Sequence, residues 1–391
     1  MRIAFFLEIF YPEINGVLTA TLNLARNLKS LGHHVLLVVP RSRASEAVRE
    51  IDGIEVFKVP SIPVYIYPGM RFNNPWNQVL KRKLLREKIE ILHTTGPGTL
   101  ALAAMVWARR FKLPLVQTFH TMLSEDTYLL YLVRLKRLLP VGRFISWRYM
   151  GKIIRASDFI TAPSLFACGE IKKRYPEKPV CHISNGVELD VFRRFPAREE
   201  FEKEFPFYND KTFIFVGRVG LEKSIDTLLS AFAAAASRDS HLRLVVVGDG
   251  PSRVEMASLA RDLGLENNIF FLGKIPHERL LASGLLQYSR AFITASVTEN
   301  QPMTIIEAIC CSLPIIVADV EGMRELTDGN GLRFPPGDRA ALADCILRAA
   351  GDDALHGELR AASQRLAARF DGRSVALQFE EEYGKLLTQR A

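Results

Sequence analysis

The sequence predicts an α/β protein made of two Rossmann-like domains facing across a cleft, and three observations carry that expectation. Short apolar runs alternate with amphipathic stretches along nearly the whole chain, the pattern of βαβ units feeding a mostly parallel sheet. At 391 residues the chain exceeds the size at which a single core keeps growing. The alternation breaks once, in the charged and strand-free stretch NGVELDVFRRFPAREEFEKEFPFYNDK, which puts the domain boundary near residues 190–208. The expected division is 1–195, then 196–372, then a closing helix over 373–391 free to return to the first domain.

In the first half the expected strands are RIAFFLEIF, HVLLVVP, IEVFKVP, IEILHTT, PLVQTFH, DFITAPS and VCHIS. The opening MRIAFFLEIFYPEINGV has the apolarity of a signal peptide. It has one basic residue, an early Glu8 and no small-residue cleavage pattern, so it reads as a buried first strand. Asn15-Gly16-Val17 then opens the helical pattern LTATLNLARNLKSLG, where Gly16 would let backbone approach a ligand closely. A plain turn glycine explains Gly16 equally well. His93 in ILHTTGPGT and His120 in PLVQTFHT stand at strand ends. A lone histidine is more often a structural hydrogen-bonder; the strand-end position moves His120 towards function and leaves His93 a supporting role. In the second half the expected strands are TFIFVG, LRLVVVGDG, NIFFLGKI, AFITAS, PIIVAD and GLRFPP, with helices such as SIDTLLSAFAAAASR between them.

Composition sets further bounds. A hydrophobic content of 48% with 24% charged residues describes a globular protein, and no run approaches the ~20 apolar residues that span a bilayer. The five cysteines form no C-x-x-C pair, which speaks against zinc or a disulfide framework and for a reducing cytoplasm. The net charge of +8 invites an anionic partner, whether nucleic acid, anionic lipid or a phosphorylated substrate. Nucleic acid is disfavoured, because no helix-turn-helix, RRM-like or finger pattern is present. From Thr127 to Ser157 there is no acidic residue and there are seven basic ones: Arg134, Lys136, Arg137, Arg143, Arg148, Lys152 and Arg155. On a helical wheel Arg148, Lys152 and Arg155 share one face, with Ile145, Tyr149, Met150, Ile153 and Ile154 on the other. Such a helix suits the surface of an anionic membrane, each cation adding about 1 kcal/mol. A helix packed on its own sheet with its cations in water fits equally. KRKLLREK at 81–88 adds to the basic character of this half.

The chemistry concentrates in the second half. Glu299 and Glu307 stand eight residues apart in TENQPMTIIEAICCS, directly after a strand. The first carboxylate falls on the loop and the second one turn into a helix starting near Met303, whose free N–H groups suit phosphate. About 80 residues upstream another strand runs into Arg218-Val-Gly-Leu-Glu-Lys223, two fixed cations five residues apart that suit a diphosphate. Acids for sugar hydroxyls and cations for a diphosphate, both at strand ends, point to a nucleotide-sugar enzyme.

With PEINGV, FHT, SNGVELDVF, GRVGLEK, VVVGDGP, FFLGKI and the E-x7-E run in this order, the chain resembles the retaining glycosyltransferases of family 4, which have the GT-B fold. The pairing of INGV with LPLVQTFHT most resembles bacterial lipid glucosyltransferases acting on diacylglycerol. The resemblance implies that Arg218 and Lys223 neutralise the donor diphosphate, that Glu307 holds the ribose, and that the amides around Pro302, Met303 and Thr304 support phosphate. It implies contact of Glu299 with the transferred sugar, of His120 with the sugar and reacting centre, and of Gly16 with the diphosphate. Lys274 and Ile275 would frame the base through their backbone. Pro302 departs from the glycine usual in the family; it is tolerated at a helix start but removes one possible phosphate donor.

The implied reaction is transfer of a hexose, glucose from a UDP-sugar, to a lipid hydroxyl at the cytoplasmic membrane face. No cofactor is required, with Mg2+ at most a stimulant. Alternatives stay open: the same chemistry on a soluble sugar phosphate, glycerate or polysaccharide precursor, or a nucleotide-sugar epimerase of the same fold.

Overall fold

The computed structural model describes residues 1–11, 15–43, 45–64, 71–120 and 138–390, and they form two compact units. The first contains Met1–Gly186 together with Gly372–Ala391; the second is Val187–Asp371.

The first unit is built on β1 (Arg2–Phe6), β2 (His34–Pro40), β3 (Glu50–Ile51), β4 (Ile54–Val59), β7 (Ile91–Thr94), β8 (Leu115–Thr118), β9 (Phe159–Ala162) and β10 (Val180–His182). They form one sheet in the order β10-β9-β8-β7-β1-β2-β4-β3, parallel except for the short β3–β4 pair. A separate hairpin pairs β5 (Ser61–Pro63) with β6 (Arg71–Asn73). Alternate side chains of a strand face opposite sides, and both sides here are buried. Ile3 and Phe5 join Val35, Leu37 and Val39 in one core, while Ala4 and Phe6 join Leu36 and Val38 in the other. The helices over these faces include α1 (Gly16–Ser30), α2 (Gln78–Arg86), α3 (Thr99–Phe111), α4 (Leu139–Ala156) and α5 (Leu165–Arg174). Asn15 caps α1, its Oδ1 accepting from the Leu18 amide at 2.9 Å.

The second unit begins earlier than the sequence suggests. Its first helix, α6 (Arg198–Glu204), buries Phe201 against Tyr208 and Tyr288, and Gln287 Nε2 donates to the Phe192 carbonyl at 3.1 Å. The charged stretch from Val187 onward is therefore part of this unit. Six parallel strands follow: β11 (Thr212–Val216), β12 (Arg243–Val247), β13 (Ile269–Gly273), β14 (Ala291–Thr294), β15 (Ile315–Ala318) and β16 (Gly331–Phe334), ordered β13-β12-β11-β14-β15-β16. The helices are α7 (Ile225–Ala236), α8 (Arg253–Asp262), α9 (His277–Ala282), α10 (Met303–Cys310), α11 (Glu321–Arg324), α12 (Arg339–Gly351) and α13 (Asp353–Ala367). The last helix, α14 (Gly372–Thr388), belongs to the first unit, where Phe379 and Tyr383 enter the core of β1 and α1.

Candidate functional site

In the second unit the chain runs from β11 outward through β12 and β13, then returns to lay β14 on the other side of β11. The connections leaving β11 and β14 part in opposite directions, and the crevice at the carboxyl ends of such a strand pair is where α/β sheets bind ligands. Arg218 and Lys223 lie on the connection after β11, and Glu299 on the one after β14. Lys223 Nζ donates to Glu299 Oε1 in an ion pair whose side chains are mostly withdrawn from solvent. Ser296 Oγ donates to the Glu222 carbonyl at 3.2 Å, and Arg218 Nε stands 3.6 Å from Glu222 Oε1. Fold topology thus brings the two cations and two carboxylates to one place.

Two glycines set this geometry. Gly248 has φ +140°, and a Cβ there would collide with the Gly217 carbonyl oxygen, so the loop after β12 can pack directly on the loop carrying Arg218. A Cβ on Gly322 would collide with the carbonyl oxygens of Glu299 and Asn300, so α11 can approach the acidic loop. Gly322 escaped the sequence reading, because nothing local marks its contact with residues more than twenty positions earlier.

Pro302 is the N-cap of α10 rather than its first helical residue, and its carbonyl accepts from the amides of Ile305 and Ile306. The N-cap residue, Pro302, offers no side-chain cap to this helix, whose first turn holds no acidic residue. The half-buried Thr304 follows the buried Met303. Glu307 is 3% exposed, and His277 Nε2 lies 2.7 Å from its Oε1. His277 was given no role from sequence; its partner lies thirty residues on, beyond any local pattern. Lys274 is exposed and Ile275 half-buried on the short link from β13 to α9, which begins at His277.

In the first unit Gly16 is the first residue of α1 and is exposed. His120 follows β8 and shares a pocket with His93, Thr118, Ser184, Asn185 and Phe379. Burial holds the His120 imidazole at about 4, so it is neutral near pH 7. Burial, helped by His120, holds His93 at about 3. His93 is fully buried: its Nδ1 lies 2.6 Å from Tyr383 Oη and its Nε2 2.7 Å from Thr118 Oγ1. Both ring nitrogens being engaged, its part is to join α14 to the strand that ends near His120.

Arg134, Lys136 and Arg137 lie outside the described residues. Arg148, Lys152 and Arg155 occupy exposed positions of α4, with Met150, Ile153 and Ile154 buried beneath. Ile145 departs from the expected wheel: it is exposed, as are Val141 and Phe144. In KRKLLREK, Lys83 is buried and bonded to Glu55 and Glu87 at 2.6 and 2.9 Å, so it adds nothing to a basic surface.

A family described as Glycosyltransferase Family 4 matches residues 14–191, and one described as Glycosyl transferases group 1 matches residues 197–366. An alpha-monoglucosyldiacylglycerol synthase of Streptococcus pneumoniae is 27% identical over 324 residues, covering 81% of this chain and 70% of the relative. A GDP-mannose-dependent alpha-mannosyltransferase of Corynebacterium glutamicum is 26% identical over 374 residues, covering 93% of this chain and 84% of the relative. The crystal structure of Anabaena HepE in complex with UDP-glucose superposes with a TM-score of 0.77 at 18% identity, over 98% of this chain and 100% of that one. With two parallel α/β units, a switch point furnished in the second and a family match on each half, the chain is a glycosyltransferase of the GT-B fold, a family 4 domain followed by a group 1 domain.

Proposed function

We propose that the protein transfers glucose from UDP-glucose to a lipid hydroxyl such as that of 1,2-diacylglycerol, retaining the anomeric configuration, as a peripheral protein on the cytoplasmic face of the membrane. The observation that carries this reading is the Lys223–Glu299 pair at the switch point, one loop from the start of α10. In this reading the donor diphosphate takes the place of the Glu299 carboxylate as partner of Lys223, with Arg218 on its other oxygens. The amides around Pro302, Met303 and Thr304 add their N–H groups and the positive end of the helix. Glu307 accepts from the ribose hydroxyls while His277 fixes its carboxylate, and the backbone of Lys274 and Ile275 borders the base. Glu299, released from Lys223, accepts from a hydroxyl of the transferred sugar.

The bond from the sugar C1 to the diphosphate oxygen breaks as charge builds on that oxygen, and the fixed cations stabilise it. The acceptor oxygen bonds to C1 on the face the diphosphate leaves, and its proton passes to a phosphate oxygen, so charge and atoms balance. His120, neutral at the working pH, hydrogen-bonds the sugar, and Gly16 admits the diphosphate beside backbone. No step requires a cofactor, and Mg2+ acts at most as a stimulant.

The Streptococcus relative, a synthase of a glucosyldiacylglycerol, supports the lipid acceptor, and HepE with UDP-glucose supports the donor. No helix among the described residues is long and apolar enough to cross a membrane. The exposed Val141, Phe144 and Ile145 beside Arg148, Lys152 and Arg155 suit attachment to an anionic surface instead. The Corynebacterium relative favours a second reading, mannose from GDP-mannose. Release of nucleoside diphosphate from UDP- and GDP-sugars, with and without diacylglycerol in anionic vesicles, tests both. The expected result is lipid-stimulated release from UDP-glucose, reduced about 100-fold or more in Glu299→Ala and Lys223→Ala. Release that ignores lipid but rises with a soluble sugar or sugar phosphate would move the acceptor into water.

A further inference from the structure

We propose that His277 is a positioning residue for the donor: it holds one oxygen of the buried Glu307 carboxylate, leaves the other for the ribose, and so sets how strongly the protein prefers a ribonucleotide over one lacking the ribose hydroxyls. The inference deepens the donor reading given above and rests on it.

Sheet order makes this contact a long reach. β13 and β14 are three places apart in the second sheet, about 14 Å at the usual strand spacing, with β12 and β11 between them. His277 opens the helix after β13, and Glu307 lies in the helix after β14. Their side chains meet all the same. Nε2 donates to Oε1 at 2.7 Å, since a carboxylate can only accept. The backbone before His277 is suited to the reach. Gly273 takes φ +71°, in the left-handed region that favours glycine, and Pro276 is the N-cap of α9 with φ −53°. Only Lys274 and Ile275 stand between them, which leaves little slack to carry the imidazole away from Glu307.

The two partners differ in exposure. The Glu307 side chain is 3% exposed and that of His277 is 35% exposed, so an acid in the interior is held by a residue at the surface. A buried carboxylate is costly unless it is bonded. The second oxygen of Glu307, Oε2, has no hydrogen-bond partner among the described residues, so the group has one bond made and room for another. Fixing one oxygen fixes the plane of the carboxylate, and ribose hydroxyls can then donate to it without reorganising it. Without His277 the group turns freely, and orienting it becomes a cost of binding the ribose. A diphosphate held by Arg218 and Lys223, on the connection after β11, does not meet that cost.

Three probes titrated calorimetrically into the full chain test this: UDP, 2′,3′-dideoxy-UDP and inorganic pyrophosphate. Wild type is expected to prefer UDP to the dideoxy form by about tenfold or more. His277→Phe, which keeps a ring but loses the donor, should cut that preference about fivefold or more and leave pyrophosphate affinity within about twofold. His277→Gln, which restores an N–H donor, should recover much of the preference. A preference that stays or rises in His277→Phe, or an equal loss for all three probes, would overturn the proposal. If GDP binds in place of UDP, GDP and its dideoxy form are read in the same way. Nucleotide binding that Lys223→Ala abolishes and His277→Phe leaves untouched would sink this inference while the donor reading stands. Failure of wild type to bind any nucleoside diphosphate would overturn both.

Discussion

At Glu8 burial and hydrogen bonding pull the carboxyl in opposite directions, and burial wins, taking it from 4.5 to about 7. The folded chain therefore keeps a proton there that the unfolded chain has released between those two values. Stability tied to this group is full below about pH 4.5 and falls as pH rises through 7. Glu8→Gln removes the titration, so the variant should gain on wild type from pH 5 to pH 8, by at most about 3 kcal/mol at 1.36 kcal/mol per unit. Denaturant midpoints at the two pH values measure this, and a pH-independent difference would show that Glu8 ionises freely. His93 has the opposite sign. Its imidazole is held at about 3, so the stability it lends is present above 6.5 and lost as pH falls toward 3.

Elements were more legible than the contacts between their ends. Every main strand of both sheets was visible as an apolar run, because strands buried on both faces must be apolar throughout. The short β3 and the β5–β6 hairpin were not foreseen, since two or three residues at a sheet margin bury too little to leave a pattern. Lys223, Glu299 and Glu307 could be singled out because each lies on the loop or in the first turns of the helix that follows a strand. His277, Gly322 and Glu8 could not, because their partners lie 22 to 93 residues away and only the folded sheet supplies them. Gly248 shows what such hidden contacts weigh. At φ +140° an alanine is strained, and its methyl group would strike the Gly217 carbonyl oxygen. Gly248→Ala should cost about 2–4 kcal/mol or force the Arg218 loop aside. Chemical denaturation reads the first outcome; a wild-type midpoint with unchanged UDP affinity would show that the two loops are not locked together.

On the scale of the whole molecule, one unit is continuous in sequence and the other is not. Residues 187–371 close on themselves: the Val187 amide donates to the Phe370 carbonyl at 2.8 Å, and Val187 bridges Asp371 at the two ends of the unit. The first unit takes its last helix from the far end of the chain. That helix, α14, places Val375, Ala376, Phe379, Tyr383 and Leu386 in the core of β1 and α1, and Tyr383 is the described partner of His93 Nδ1. Removing it uncovers five buried side chains, four of them large, at about 1.5–3 kcal/mol for each large apolar one, a loss comparable to a domain's whole margin of stability. A chain ending at Asp371 should therefore keep the second unit and lose the first. Expressed alone, residues 187–371 should melt cooperatively. The 1–371 chain should show that same transition while the amides of β1, β7 and β8 lose their protection from hydrogen exchange. Full protection of those strands without α14 would mean that the first core is complete before the C-terminal helix joins it.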